Sequence, residues 1–238
     1  MTVEQKLKDA GSSEVLRFGG AGTVLLLSLL AFVGLHPLML GGTAGRLAGG
    51  TILTVILVAG TIAASRSTTQ RAISAVLAVS ALGLHFASLL SGNAVVEAIA
   101  MVVFSAFCLY TAIVMLRRVL SFGPLYADRV HAALSVYILL AMFWAGAYAL
   151  IELVSPGAFS FPSGSVETLG PRRTIHLLPH TFHLSVATLT STGYGDITPI
   201  APFARSLAQL EQLTGVFYIA VLISRLVELY PDSDKSGA

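Results

Sequence analysis

The chain has 238 residues, 55% of them hydrophobic and 11% charged, where a soluble domain carries about 25% charged residues. A mean hydropathy of +0.82 at this length excludes a single large water-soluble core and calls for several membrane spans. A formal net charge of +2 gives no strong pull on nucleic acid, and one cysteine, Cys108, excludes an intrachain disulfide framework.

Residues 1–17 are polar and mixed in charge (Glu4, Lys6, Lys8, Asp9, Glu14, Arg17). They lack the apolar core and small-residue cleavage site of a signal peptide, so a cytoplasmic N-terminal segment is expected. Residues 18–45 contain no Asp, Glu, Lys or Arg, enough for a first span ending near His36-Pro37. Residues 47–65 form a second span, closed by a loop with Arg66 and Arg71. Residues 72–90 are a third, followed by a tight turn at Ser91-Gly92-Asn93, and 94–116 are a fourth, closed by Arg117-Arg118. Each approaches the ~20 residues that cross ~30 Å of hydrocarbon. Small residues recur through the first three, as expected where helix backbones approach closely.

Ser121-Phe122-Gly123-Pro124 breaks the helix after the fourth span. Residues 121–133 are then a linker, its later part a surface helix carrying Asp128, Arg129 and His131. Residues 134–154 are the fifth span. Residues 155–177 form a turret rich in Ser, Pro and Gly, with the pair Arg172-Arg173. A short helix over 178–190 follows, with Pro179 in its first turn, where a missing N–H costs nothing. The sixth span covers 203–230, and 231–238 is a tail with no room for a cytosolic ligand-binding domain. The pore region as a whole is 134–230, and the first four spans occupy 18–120.

An even number of spans puts both ends on one side. Lys6, Lys8, Arg17, Arg66, Arg71, Arg117, Arg118, Arg129, Arg225 and Lys235 fall on that side; Arg46, Arg172, Arg173 and Arg205 fall opposite. Ten against four assigns cytoplasmic termini in a cell membrane.

Between the last two spans the chain reads Thr188-Leu189-Thr190-Ser191-Thr192-Gly193-Tyr194-Gly195-Asp196-Ile197-Thr198-Pro199. Gly193 and Gly195 permit positive φ without a Cβ penalty, and alternating handedness turns successive carbonyls towards one axis. With the short helix before it and the long one after, the stretch resembles the selectivity-filter signature of potassium channels, usually Thr-Val-Gly-Tyr-Gly-Asp. The resemblance implies an all-α membrane protein of six transmembrane helices with a re-entrant pore helix and filter between the fifth and sixth. It implies K+ ligands at Ser191, Thr192, Gly193, Tyr194 and Gly195, no cofactor beyond K+ as the permeant ion, and no catalysis. One chain supplies one wall of such a pore, so a homotetramer in a lipid bilayer is expected.

Three positions depart from the pattern. Ser191 stands where threonine is usual, and Thr192 where valine or isoleucine is usual, so Thr192 needs a hydrogen-bond partner behind the filter. Ala187 stands where some members have a glutamate facing the aspartate, leaving Asp196 to find another donor. His183-Leu184 replaces the familiar tryptophan pair. A weakly selective monovalent cation channel is the alternative that Ser191 and Thr192 allow.

Asp196, Thr190 and Glu211 are the expected filter supports. Glu211 is ionisable inside a span, which points to function by default, and Thr190, Ser191, Thr192 and Gln212 are its nearest donors in sequence; cavity-lining or purely structural roles are its rivals. Gly215, twenty residues after Gly195, matches the family's hinge glycine, and close helix packing explains it equally well. Val216, Ile219 and Ile223 are the expected gate. No Lys or Arg occurs between Arg71 and Arg117, so the first four spans lack the gating charges of a voltage sensor. His85 reads as a core histidine, while His176, His180 and His183 crowd the outer mouth and titrate near neutrality when unperturbed. An intramembrane serine protease is the enzyme-class rival, but no histidine follows Ser191.

Overall fold

The computed structural model describes residues 22–35, 42–64, 67–91, 93–120, 127–162 and 173–228, excepting the side chains of 42–48, 94, 127–128, 173–176 and 226–228. The described chain is helical almost throughout: α1 (Gly22–Leu35), α2 (Gly42–Ala64), α3 (Thr68–Ser91), α4 (Ala94–Leu120), α5 (Ala127–Val154), α6 (Arg173–Leu189) and α7 (Pro202–Glu228). Two-residue strands β1 (Phe159–Ser160) and β2 (Thr198–Pro199) pair antiparallel, Phe159 opposite Pro199.

Among the described residues, four stretches are long and apolar enough to cross a membrane: Thr68–Ser91, Val95–Leu120, Arg129–Val154 and Pro202–Arg225. The described apolar parts of the first two helices, Gly22–Leu35 and Gly49–Ala64, are shorter than the ~20 residues a span needs.

Helix starts follow local chemistry. The Ser67 hydroxyl accepts the Gln70 amide at 3.2 Å to cap α3, and Asn93 Oδ1 accepts the Val95 amide at 2.8 Å to cap α4. Arg117 and Arg118 lie in the last turn of α4, where positive charge complements the helix dipole. The Arg118 guanidinium also donates to the Ala63 carbonyl, one of the α2 end carbonyls left without a helical donor.

Several expected boundaries shift. Residues 127–133, expected as part of a separate linker, are the first two turns of α5; Ala127, Ala132 and Ala133 favour helix, and no proline interrupts them. The remainder of that linker, 121–126, lies outside the described residues, as do 1–21 and 229–238. The short helix before the filter begins at Arg173, not at 178, so Pro179 falls inside it and leaves the carbonyl four residues earlier without its helical donor.

A continuous apolar core joins the first helices to the last. Leu29 and Phe32 of α1, Ile56 of α2, Phe107 and Met115 of α4, Leu139 and Met142 of α5 and Phe182 of α6 belong to one buried cluster. The Phe32 and Phe182 rings meet edge to face at 5.0 Å. Gly146 of α5 lies so near α4 that an added Cβ would collide with the Ser105 hydroxyl. The first four helices thus pack on the α5–α6 unit of their own chain. A second cluster, Tyr148, Phe159, Leu184, Ile197 and Ala204, gathers α5, β1, α6, the loop after it and the start of α7.

Candidate functional site

The loop between α6 and α7 is set by how α6 ends. The Thr192 amide donates to the Ala187 carbonyl at 2.8 Å, and the Ser191 amide to the Thr188 carbonyl at 3.0 Å. This is a Schellman closure with Ser191 in the left-handed position usually given to glycine; its φ is 56°. The Gly193 amide also reaches the Ala187 carbonyl, at 3.1 Å.

Beyond it, handedness alternates. Ser191, Gly193 and Gly195 have φ of 56°, 58° and 78°, and Thr192 and Tyr194 between them stay negative. No atom lies within 4 Å of a Cβ added at Gly193 or Gly195, so glycine there answers to backbone conformation and not to crowding. From Thr190 to Asp196 every residue is exposed in the single chain, Tyr194 by 70%.

The hydroxyl at 192 finds a partner: Thr192 Oγ1 lies 2.8 Å from Thr190 Oγ1, which also bonds the Val186 carbonyl at 2.7 Å. Asp196 meets His183, Nε2 to Oδ2 at 3.0 Å. The His183 ring stacks on Tyr194, with centroids 5.5 Å apart and planes inclined by 14°. The sequence puts His183 at the outer mouth but carries no sign of these two contacts.

The expected partners of Glu211 are corrected. Thr190 and Thr192 bond each other, and Gln212 is exposed. The Glu211 carboxylate, fully buried, accepts from the Tyr148 hydroxyl of α5 and the Ser185 hydroxyl of α6. It therefore sits behind the middle of α6, one turn before the residues expected to hold it. The Ser185 hydroxyl also lies 2.8 Å from the Ala141 carbonyl, and its one proton serves both acceptors.

The end of α6 is gripped from two sides. Tyr137 Oη donates to the Leu189 carbonyl at 2.9 Å. A Cβ on Gly215 would collide with that same carbonyl, so α7 passes α6 at backbone contact. Close packing alone accounts for a glycine at 215. Val216, Ile219 and Ile223 are half exposed in the single chain.

The far end of the loop is tied down by a residue the sequence did not single out. Glu152, near the end of α5, accepts the Gly157 and Phe159 amides at 2.8 and 3.1 Å. These fix β1, which pairs with β2 directly after the filter-like loop, and the Ala158 carbonyl accepts the Ile200 amide at 2.8 Å. Among the described residues no group of three or more His, Cys, Asp or Glu could hold a metal ion.

Residues 173–230, the segment containing α6, this loop and α7, match a family described as ion channels. With its long apolar helices, the chain is a multi-pass membrane protein with a segment similar to that family. It is similar to Protein LctB of Bacillus caldotenax, 29% identical over 110 residues, which cover 46% of this chain and 78% of that protein. No solved structure matches it.

Proposed function

We propose that the chain is one subunit of a homotetrameric, potassium-selective channel that conducts passively across a cell membrane. The observation that carries this reading is the alternation of positive φ at Ser191, Gly193 and Gly195. Such a backbone turns successive carbonyls to one side, and four copies around an axis make stacked oxygen cages that replace the ion's lost water. The carbonyls of Ser191, Thr192, Gly193 and Tyr194, with the Ser191 hydroxyl beneath them, are the ligands. Thr190, Asp196 and Glu211 support the loop.

What one chain leaves uncovered supports the tetrameric reading. An irregular backbone at membrane depth must face protein or a water-filled path, and residues 190–196 are exposed here. So are Phe203, Leu210, Val216, Phe217 and Ile219 along α7, surfaces for neighbouring subunits, lipid and the inner pore. Val216, Ile219 and Ile223 would form the inner constriction. Six spans, with both termini cytoplasmic as the basic residues assign them, put the filter loop on the outer side. The lack of Lys or Arg over residues 72–116 makes voltage sensing by those helices untenable.

The test is current from purified protein in liposomes under opposed potassium and sodium gradients. The reading requires a reversal potential that follows potassium. Serine at 191 lacks the methyl that would pack the innermost cage, which favours a second reading, a weakly selective cation channel. A reversal potential tracking sodium as closely as potassium would assign that one.

A further inference from the structure

Away from the filter-like loop, residues of α1 to α6 enclose a cavity of about 100 Å³. Phe32 of α1, Ile56 of α2, Met142 of α5 and Leu178 of α6 give it apolar walls. The polar side chains at its wall, His85, Ser88 and Glu97, come only from α3 and α4. Polarity is thus gathered at one corner of an otherwise apolar space.

That corner is rich in acceptors. The Ser88 hydroxyl donates to the His85 carbonyl at 2.7 Å, so it has only lone pairs left to offer a ligand. Glu97, 4% exposed, stands in the first turn of α4, where the helix dipole favours the ionised carboxylate. An ionised carboxylate accepts and never donates. On the α2 side, a Cβ added to Gly50 would come within 3.9 Å of His85 Nε2 and touch nothing more closely, so the glycine leaves room there. A negative charge at one end of an apolar space complements a cationic head on a small hydrocarbon body. A protein cavity of ~150 Å³ takes up benzene, so this one suits a body of about five carbons.

We infer that this cavity is a binding site for a small apolar amine, its ammonium against Glu97 and its hydrocarbon body among α2, α5 and α6. The site goes beyond the conduction reading and stands whether or not the chain conducts potassium. Leu178 and Pro179 of α6 form part of the wall, so an occupant bridges the first four helices and the helix that leads into the filter-like loop. A Glu97 that served only the start of α4 would give a ligand no preference for charge.

The probe is cyclopentylamine, with cyclopentanol as its uncharged match, titrated into the purified full chain in detergent. Isotope-labelled methionine methyls report position by nuclear magnetic resonance: Met101 and Met142 line the cavity, and Met115 is buried outside it. Cyclopentylamine should move Met101 and Met142 saturably and leave Met115 in place. It should bind about 5- to 20-fold more tightly than cyclopentanol, the span of a charge-assisted hydrogen bond less the cost of desolvating the ammonium. Glu97→Gln keeps the size and should erase that preference. Gly50→Leu puts a side chain into the space and should abolish both methyl shifts. Should either variant fail to fold, the two ligands and the three methyls of the unmutated protein carry the test. Unmoved Met101 and Met142 methyls, as from a cavity holding water alone, overturn the inference. Equal binding of amine and alcohol overturns it too and marks an apolar site of the kind an acyl chain fills. A preference that survives Glu97→Gln also overturns it, since the carboxylate is then not what the amine meets.

Discussion

Tyr137 and Leu189 are 52 positions apart, and the tyrosine hydroxyl donates to the leucine carbonyl at 2.9 Å. Leu189 is the last residue of α6, so its carbonyl has no donor within the helix. Gly215 backs the same carbonyl from α7, and the Tyr137 ring leans on Tyr218, whose own hydroxyl bonds the Ala133 carbonyl at 2.6 Å. The base of the filter-like loop is thus fastened to α5 and wedged by α7. Tyr137→Phe keeps the ring and removes the donor, and should cost about 1–2 kcal/mol of the protein's stability. Gly215→Ala should be worse, since backbone must move. Thermal melts of the two variants rank them; a Tyr137→Phe protein as stable as wild type would remove the fastening role.

Ser191 gives a separable test of backbone and side chain. A serine at φ 56° carries roughly 1–2 kcal/mol of left-handed strain that glycine escapes. Ser191→Gly should therefore raise thermal stability by about 1 kcal/mol or somewhat less, after its larger unfolded-state entropy is counted, while removing a hydroxyl ligand. Ser191→Ala loses the ligand without relieving the strain. Both should weaken the innermost ion site, read as reduced block by internal barium. Gly193→Ala and Gly195→Ala, strained at φ of 58° and 78°, should abolish potassium current and leave assembly intact. A conducting Gly193→Ala channel would contradict the alternating-backbone reading.

The left-handed glycines of the loop were legible because their constraint is local: Gly-Tyr-Gly tells of positive φ without reference to the rest of the chain. Ser191 was not legible as left-handed, since serine rarely takes that conformation and only the closure of α6 imposes it. The partners of Glu211 lay out of sight because Tyr148 is 63 positions away and no periodicity links them. For Asp196 the expected partner position, Ala187, was empty of donors, and the contact came from His183, one turn earlier on the same helix. The strands β1 and β2 are two residues each, too short to leave an alternating pattern. The helices themselves read correctly in type, while the α5 and α6 starts moved, because helix propensity runs through a boundary placed on hydropathy alone.

Voltage dependence should be weak. Moving one charge through the membrane field supplies ~2.3 kcal/mol per 100 mV, and α3 and α4 carry basic residues only near their ends, at Arg71, Arg117 and Arg118. Arg118 is further committed to the Ala63 carbonyl. Open probability should change e-fold only over many tens of millivolts, measured in planar bilayers over both polarities. Steep sigmoidal activation would mean that some other charged group crosses the field.

Glu211 permits a test by double substitution. Its carboxylate is 0% exposed and is held by Tyr148 and Ser185; a carboxyl so placed is costly unless its oxygens are bonded. Glu211→Gln keeps the size and one carbonyl oxygen, so it should conduct. Glu211→Ala leaves a cavity and orphans the Tyr148 hydroxyl, which costs roughly 1–3 kcal/mol, whereas Ser185 keeps its bond to the Ala141 carbonyl. The middle of α6 should then loosen, and the channel should flicker or collapse in low external potassium. Tyr148→Phe removes the orphaned group, so the pair Glu211→Ala and Tyr148→Phe should be less harmful than the sum of the two changes, by about 1 kcal/mol or more. Melting of the purified protein and current at high and low potassium read the two consequences separately. Strict additivity in the melts, or normal current from Glu211→Ala at both potassium levels, would return Glu211 to a residue that merely fills space behind α6.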